Sequence, residues 1–128
     1  MLAREPTDAE NARYRLARGL AFAGRGDLPR GAEEMEQALS FRPDEPRYHI
    51  ELAKVLYASG RYADVLERLG AAESRFPEEA DLYVLLAASS EAIGMHSRAL
   101  DYYQRAIALD PDNAELREAR DRLRVRSQ

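Results

Sequence analysis

The sequence predicts an all-α stack of helical hairpins, and two observations predict it. Pro43, Pro77 and Pro111 follow one another at a constant interval of 34 residues. Gly26, Gly60 and Gly94 keep that interval, and so do Ala38, Ala72 and Ala106. A period of this length marks helix–turn–helix units piled side by side, each burying its apolar face only against its neighbours. The period divides the chain into a lead-in over 1–11, repeats over 12–45, 46–79 and 80–113, and a closing helix over 114–128.

The third repeat is the most regular. Its first helix is predicted over 79–93, with Gly94 just past its end in the left-handed conformation that a residue without Cβ adopts freely. The second helix is predicted over 97–109. Pro111 cannot continue it, and Asp110 before the proline is pushed toward extended geometry. Asp112 or Asn113 then caps the closing helix by accepting from its free N–H groups. In the second repeat, Tyr48, Ile50, Leu52, Ala53, Val55 and Leu56 share one helix stopped by Gly60. Val65, Leu66, Leu69 and Ala72 share the next, stopped by Pro77.

In the first repeat, Asp27 is the cap of the second helix and Pro29 lies in its first turn. Ala32, Met35, Ala38 and Leu39 follow on its apolar side. The first helix is less regular. Tyr14, Ala17, Leu20 and Ala21 make a helical stripe. Arg15 and Arg18, however, occupy slots that are apolar in the other repeats. This helix is therefore expected to be rotated or extended by a residue, or to face solvent as an end cap. Small residues mark the crossings where paired helices approach closely: Gly19, Ala32 and Ala38, then Ala53 and Ala72, then Ala87, Ala99 and Ala106.

Composition sets outer limits. A chain of 128 residues suffices for one domain, burying roughly 65–70% of its unfolded surface. It has no cysteine, which excludes disulfides and thiol chemistry. The net charge of −4 is interspersed rather than blocked, which argues against general nucleic-acid binding and against a basic membrane-surface helix. Lys54 is the one lysine among nineteen basic residues, a bias that reads as a GC-rich bacterial genome. No secretory signal and no membrane span is visible, which favours the cytoplasm.

These residues resemble the tetratricopeptide repeat (TPR), a unit of two antiparallel helices. The third repeat carries Tyr83, Leu86, Ala87, Gly94, Ala99, Tyr103, Ala106 and Pro111. The second carries Leu52, Ala53, Leu56, Gly60, Leu69, Ala72 and Pro77, and departs at His49 and Val65. The first carries Gly19, Phe22, Gly26, Asp27, Ala38 and Pro43, and departs at Arg15, Arg18 and Gly31. Arg4, Glu5, Pro6 and Thr7 look like the tail of an earlier repeat, which would make the chain part of a longer array. The resemblance implies a right-handed superhelical stack of three hairpins plus a C-terminal capping helix, with Leu116, Ala119, Leu123 and Val125 against the last repeat.

The resemblance also implies a concave groove lined by the first helix of each pair. Its candidate partner-binding residues are Leu16 and Leu20, then Arg47, Ile50, Lys54 and Tyr57, then Asp81, Val84, Ala88 and Glu91. Family members that grip a peptide's terminal carboxylate place Lys and Asn at fixed slots, which here hold Leu16, Leu20, Glu51, Asp81 and Leu85, so that mode is not expected. A middle that is apolar and edges that are charged favour a helix or hydrophobic peptide held by a few anchors, Tyr57 first among them. The stretch 82–88 is apolar nearly all round: either flanking repeats cover it, or one side is an interaction patch.

No catalytic residue, cofactor or metal is expected. His49 and His96 are the only histidines and stand far apart, with no Glu-x-x-His or His-x-x-x-His spacing and no phosphate-binding glycine loop. His49 reads as a packing residue and His96 as part of a turn. The function expected is protein–protein interaction, by an adaptor or assembly scaffold that holds a peptide or helix. The second reading is a homodimer formed through exposed repeat ends. The third is nucleic-acid binding by Arg122, Arg124 and Arg126, diluted by Glu115, Glu118 and Asp121.

Overall fold

The computed structural model describes residues 4–126. Residues 1–3 of the expected lead-in and 127–128 of the expected closing helix lie outside the described residues. Among the described residues there are seven α-helices and no strand. The chain divides between Ser59 and Gly60 into two compact units.

The first unit holds α1 (Asp8–Gly24), α2 (Leu28–Phe41) and α3 (Pro46–Ala58). Thr7 starts α1 with a reciprocal capping box: its side chain accepts from the Glu10 backbone N–H at 3.1 Å, and the Glu10 carboxylate accepts from the Thr7 backbone. Arg4 adds two bonds to the same carboxylate, at 2.6 and 3.0 Å. The Arg4 guanidinium and then the Thr7 hydroxyl and N–H pull the Glu10 carboxyl down to about 2. A depressed carboxyl contributes stability that is complete above its unfolded value and is lost as pH falls through the folded one. The expected result is a Glu10 side-chain resonance that titrates near about 2, below the ordinary carboxylates. Thr7→Ala should move that midpoint upward in the same NMR titration, and an unmoved midpoint would contradict the capping box.

The turn from α1 to α2 follows from Gly26, at φ +85°. Its N–H donates to Ala23 O at 3.0 Å, and Asp27 N–H donates to Phe22 O at 2.9 Å, so the orphan carbonyls of the helix end are satisfied. Asp27 then caps α2 by accepting from Arg30 N–H. The two helices meet through Gly19 and Gly31. A Cβ added at Gly19 would lie 2.9 Å from Met35 Cγ and 3.1 Å from Gly31 O, and one added at Gly31 would lie 3.1 Å from Gly19 O. Gly31, a departure from the family pattern, is therefore the second half of a close approach between α1 and α2. Met35 and Ala38 lie fully buried along the same helix.

Arg15 and Arg18 are explained by one partner. Glu34 on α2 pairs with Arg15 at 3.2 Å and with Arg18 at 3.5 Å. Two periods on, the slots of Arg15 and Glu34 hold Tyr83 and Tyr102, whose rings stack with centroids 6.5 Å apart. An ion pair thus replaces an aromatic pair at equivalent positions. Being half exposed, it contributes about 0–1 kcal/mol. The expected stripe of Tyr14, Ala17, Leu20 and Ala21 is corrected: all four are exposed, and the buried line of α1 is Ala12, Leu16 and Gly19. Ala12, Leu16 and Gly19 face α2, whereas the stripe lies on the side of α1 on which, one period on, α3 is packed by a second helix. Of the expected alternatives, a face turned to solvent is the one observed; Leu16 and Gly19 keep the slots of buried Ile50 and Ala53, so the helix is not rotated.

The second unit holds α4 (Tyr62–Ala72), α5 (Ala80–Ala92), α6 (His96–Leu109) and α7 (Ala114–Arg126). Gly60 and Gly94 are left-handed, at φ +77° and +83°. At Gly94 the same double bond recurs, with Gly94 N–H to Glu91 O and Met95 N–H to Ser90 O. Helix α4 stops at Ala72, ahead of Pro77, and one further turn follows in which Phe76 N–H donates to Ala72 O. Helix α5 packs on α4 and α6, and α6 on α7. Leu82, Leu86 and Ala87 of α5 are fully buried, whereas Val84, Leu85 and Ala88 stay half-buried. The hydroxyls of Ser89 and Ser90 are buried without a hydrogen-bond partner, a cost that α5 carries within its otherwise apolar surroundings.

On α6, Tyr102 lies under the guanidinium groups of Arg98 and Arg105, at 5.8 and 5.6 Å. Arg105 also covers Tyr83 and pairs with Glu73. Asn113 is the cap of α7, its Oδ1 accepting from Leu116 N–H at 3.3 Å. Leu116, Ala119 and Leu123 are the buried line of α7, whereas Val125 is exposed.

Candidate functional site

Arg47, Ile50, Lys54 and Tyr57 fall at i, i+3, i+7 and i+10 of α3, a spacing that puts them on one helix face. Arg47 and Lys54 are exposed, Tyr57 is half-buried, and Ile50 is buried at 6%. Lys54 Nζ reaches Glu51 at 3.4 Å, so the cation is held along the helix rather than extended outward. The equivalent slots of α1 hold Leu16 and Leu20. Leu16 is buried at 5%, whereas Leu20 is exposed at 42%. Leu16 and Ile50 therefore offer little area to a partner, and Leu20, Lys54 and Tyr57 offer more.

In the second unit, Asp81, Val84, Ala88 and Glu91 repeat the spacing along α5. Asp81 is exposed, and Val84 and Ala88 are half-buried. Glu91 is engaged. Its carboxylate accepts from Tyr103 OH at 3.2 Å and from Arg122 at 3.3 Å, with Arg126 at 3.7 Å. A residue read from sequence as an open acid is therefore roofed by two guanidinium groups of α7. That end of the α5 face presents positive charge, not negative. Sequence reasoning placed Arg122 and Arg126 on the polar side of a capping helix, with a basic arm only as a disfavoured rival, and named no partner for them. Their pairing depends on how α7 lies on the last hairpin, which no local pattern reports.

The histidines are structural in their contacts. His49 Nε2 lies 2.7 Å from the Pro43 carbonyl, so this ring nitrogen carries the proton and donates. His96 opens α6. Among the described residues, no group of three or more His, Asp or Glu side chains is arranged to hold a metal ion. None of the described helices is long and apolar enough to cross a membrane.

Residues 50–114, just over half of the chain, match the family model of the tetratricopeptide repeat. The chain belongs to the TPR family. Among curated proteins it is 26% identical over 84 residues to anaphase-promoting complex subunit 3 of Dictyostelium discoideum, a match that spans 66% of this chain and 9% of that protein. Among solved structures it resembles the Arabidopsis OM64 TPR domain, with a TM-score of 0.87 at 15% identity, covering 93% of this chain and 98% of that one. It also resembles the first TPR domain of Spaghetti (RPAP3) bound to the HSP90 peptide SRMEEVD. That match has a TM-score of 0.85 at 16% identity and covers 91% of this chain and 93% of the other. At such identities the likeness is one of fold.

Proposed function

We propose that this TPR chain is a protein-interaction module that seats a peptide or partner helix in the groove of its first helices, as an adaptor or assembly scaffold. The observation that carries the reading is Tyr57. It is a large ring left half-exposed on the α3 face, one turn from Lys54 and on a helix whose other aromatic, Tyr48, is buried. A ring so placed offers contact area and a directional hydroxyl at little entropic cost. Val84 and Ala88 on α5 supply the apolar part of the same reading.

The TPR domain of RPAP3 carries a bound peptide, which supports an interaction role in kind. The ligand proposed here differs. With Leu16, Leu20, Glu51, Asp81 and Leu85 at the slots that would grip a terminal carboxylate, affinity rests on apolar anchors, and the charged rim sets orientation. Nucleic-acid binding by α7 is disfavoured, because Arg122 and Arg126 lie on Glu91 and Arg124 is within 4.0 Å of Asp121.

The test is a pull-down from an extract of the source organism with the wild-type chain and a Tyr57→Ala, Val84→Glu double variant. The variant should keep its helical circular dichroism and lose the captured partner. Equal capture by both proteins would place the interaction surface elsewhere.

A further inference from the structure

We propose that the interaction face of α5 continues onto α7, where Arg122 and Arg126 receive a carboxylate of the partner. This rests on the reading that α5 presents a partner-binding face, and it fixes the chemistry of what binds there. The occupant is an amphipathic helix with an apolar middle, acidic at one end and basic at the other. Arg122 and Arg126 stand one turn apart on α7, at i and i+4. Both close on Glu91, at 3.3 and 3.7 Å, yet their side chains stay 50% and 56% exposed while that of Glu91 is only 18% exposed. The Glu91 carboxylate also accepts from Tyr103 OH. Two guanidinium groups carry more N–H donors than one shared carboxylate can accept, so donors remain for an incoming acid.

The exposure of these arginines belongs to their slots. At successive periods back, the slot of Arg122 holds Ala88, Lys54 and Leu20, and that of Arg126 holds Ala92, Ala58 and Gly24. Ala88 is half-buried and the others are exposed, although each lies on a helix with further helices after it. The period therefore keeps both slots open whatever follows α7. The rest of the face supplies the gradient. Helix α6 runs back between α5 and α7, so those two point the same way. Asp81 lies in the first turn of α5, and Glu115 and Glu118 in the opening turns of α7, all exposed. Val84, Leu85 and Ala88 are half-buried along α5. Along the helices the face thus runs from acidic through apolar to basic. A helix with acids in its first turn and bases in its last, the order its own dipole favours, matches this gradient when it runs antiparallel to α5. Its first turn then meets Arg122 and Arg126, and its apolar line meets Val84 and Ala88. A nucleic-acid backbone is disfavoured, because its phosphates would meet Asp81, Glu115 and Glu118 on the same face.

The probe is a fluorescein-labelled peptide, acetylated and amidated at its ends, with glutamates in its first turn and lysines in its last. Its middle carries leucine and alanine at i, i+3, i+4 and i+7. A twin has every glutamate replaced by lysine. The chain carries a net charge of −4, so unspecific attraction favours the twin, and a preference for the acidic end isolates the arginine pair. Anisotropy should show saturable binding of the first peptide, with the twin weaker by about tenfold or more. Arg122→Gln with Arg126→Gln should bring the first peptide down to the level of the twin. Helical circular dichroism should be kept, because the buried line of α7 is untouched. Glu91→Gln frees the same arginines and should tighten binding, a direction that damage to the packing of α7 would not produce. The proposal is overturned if the first peptide fails to bind, if the twin binds as well, or if the arginine variant binds like wild type. It is equally overturned if Glu91→Gln weakens binding, or if sedimentation shows a dimer that the arginine variant dissolves. Equal binding of both peptides that Val84→Glu removes would end this proposal and leave the α5 face as the interaction surface. Binding that survives Val84→Glu would overturn both.

Discussion

Replacing Gly31 by leucine is expected to destabilise the protein by about 1–3 kcal/mol, read as a lower midpoint in chemical denaturation. The first atom added already lies 3.1 Å from the Gly19 carbonyl oxygen and 3.3 Å from Ala23 N and Cβ. Two of these three neighbours are backbone and cannot rotate aside, so further carbons would have to push α1 and α2 apart. Leucine gains roughly 1 kcal/mol of helix propensity over glycine, and the net loss is what remains after that gain. Gly70 is the internal control. It lies within α4 with nothing inside 4 Å of an added Cβ, so Gly70→Ala should raise stability by about 0.8–1 kcal/mol. Opposite signs at two helical glycines separate packing from propensity. A rise in both variants would contradict the close crossing at Gly31.

The second large effect is expected at Ala106. Its side chain is fully buried, as are Ala87 and Ala99, in a unit where α5 and α6 pack together. Ala106→Leu adds three carbons where no accessible space remains and should cost about 1–3 kcal/mol. Thermal or urea unfolding of this variant at wild-type midpoint would mean that the alanine is a helix former and no more. The same substitution at exposed Ala108 should leave the midpoint nearly unchanged, since it meets only solvent.

What the sequence made legible is backbone punctuation. Gly26, Gly60 and Gly94 repeat because a left-handed residue is needed at each turn, and no other side chain adopts that conformation as cheaply. Helix α6 begins at His96, one residue before the expected start, a difference within ordinary end fraying. Less legible was the first repeat. Gly31 looked like a defect when compared with the family pattern, yet it belongs with Gly19, twelve residues earlier on the facing helix. Arg15 and Glu34 carried a readable signal in retrospect: opposite charges stand at the two slots that both hold tyrosine two periods later.

The candidate site was legible only in register. Spacing placed Arg47, Lys54 and Tyr57 on one face of α3, but burial decides what each can offer, and Ile50 is closed while Tyr57 is not. Glu91 shows the limit. A carboxylate at the right slot of α5 is neutralised by Arg122 and Arg126, more than thirty residues away in the chain. Pairing at that separation depends on tertiary packing, and the apolar line of α7 foretold a capping helix without saying which acid its arginines would meet.

The central claim, that partners are held along the face of α3 and the equivalent face of α5, is tested most directly by site-specific photo-crosslinking. A benzophenone amino acid would replace Tyr57, Val84 or, as a control, the exposed Glu67 of α4, each in an extract of the source organism. The same adduct band is predicted from positions 57 and 84 and none from 67. An adduct at 67 with none at 57 or 84 would contradict the claim.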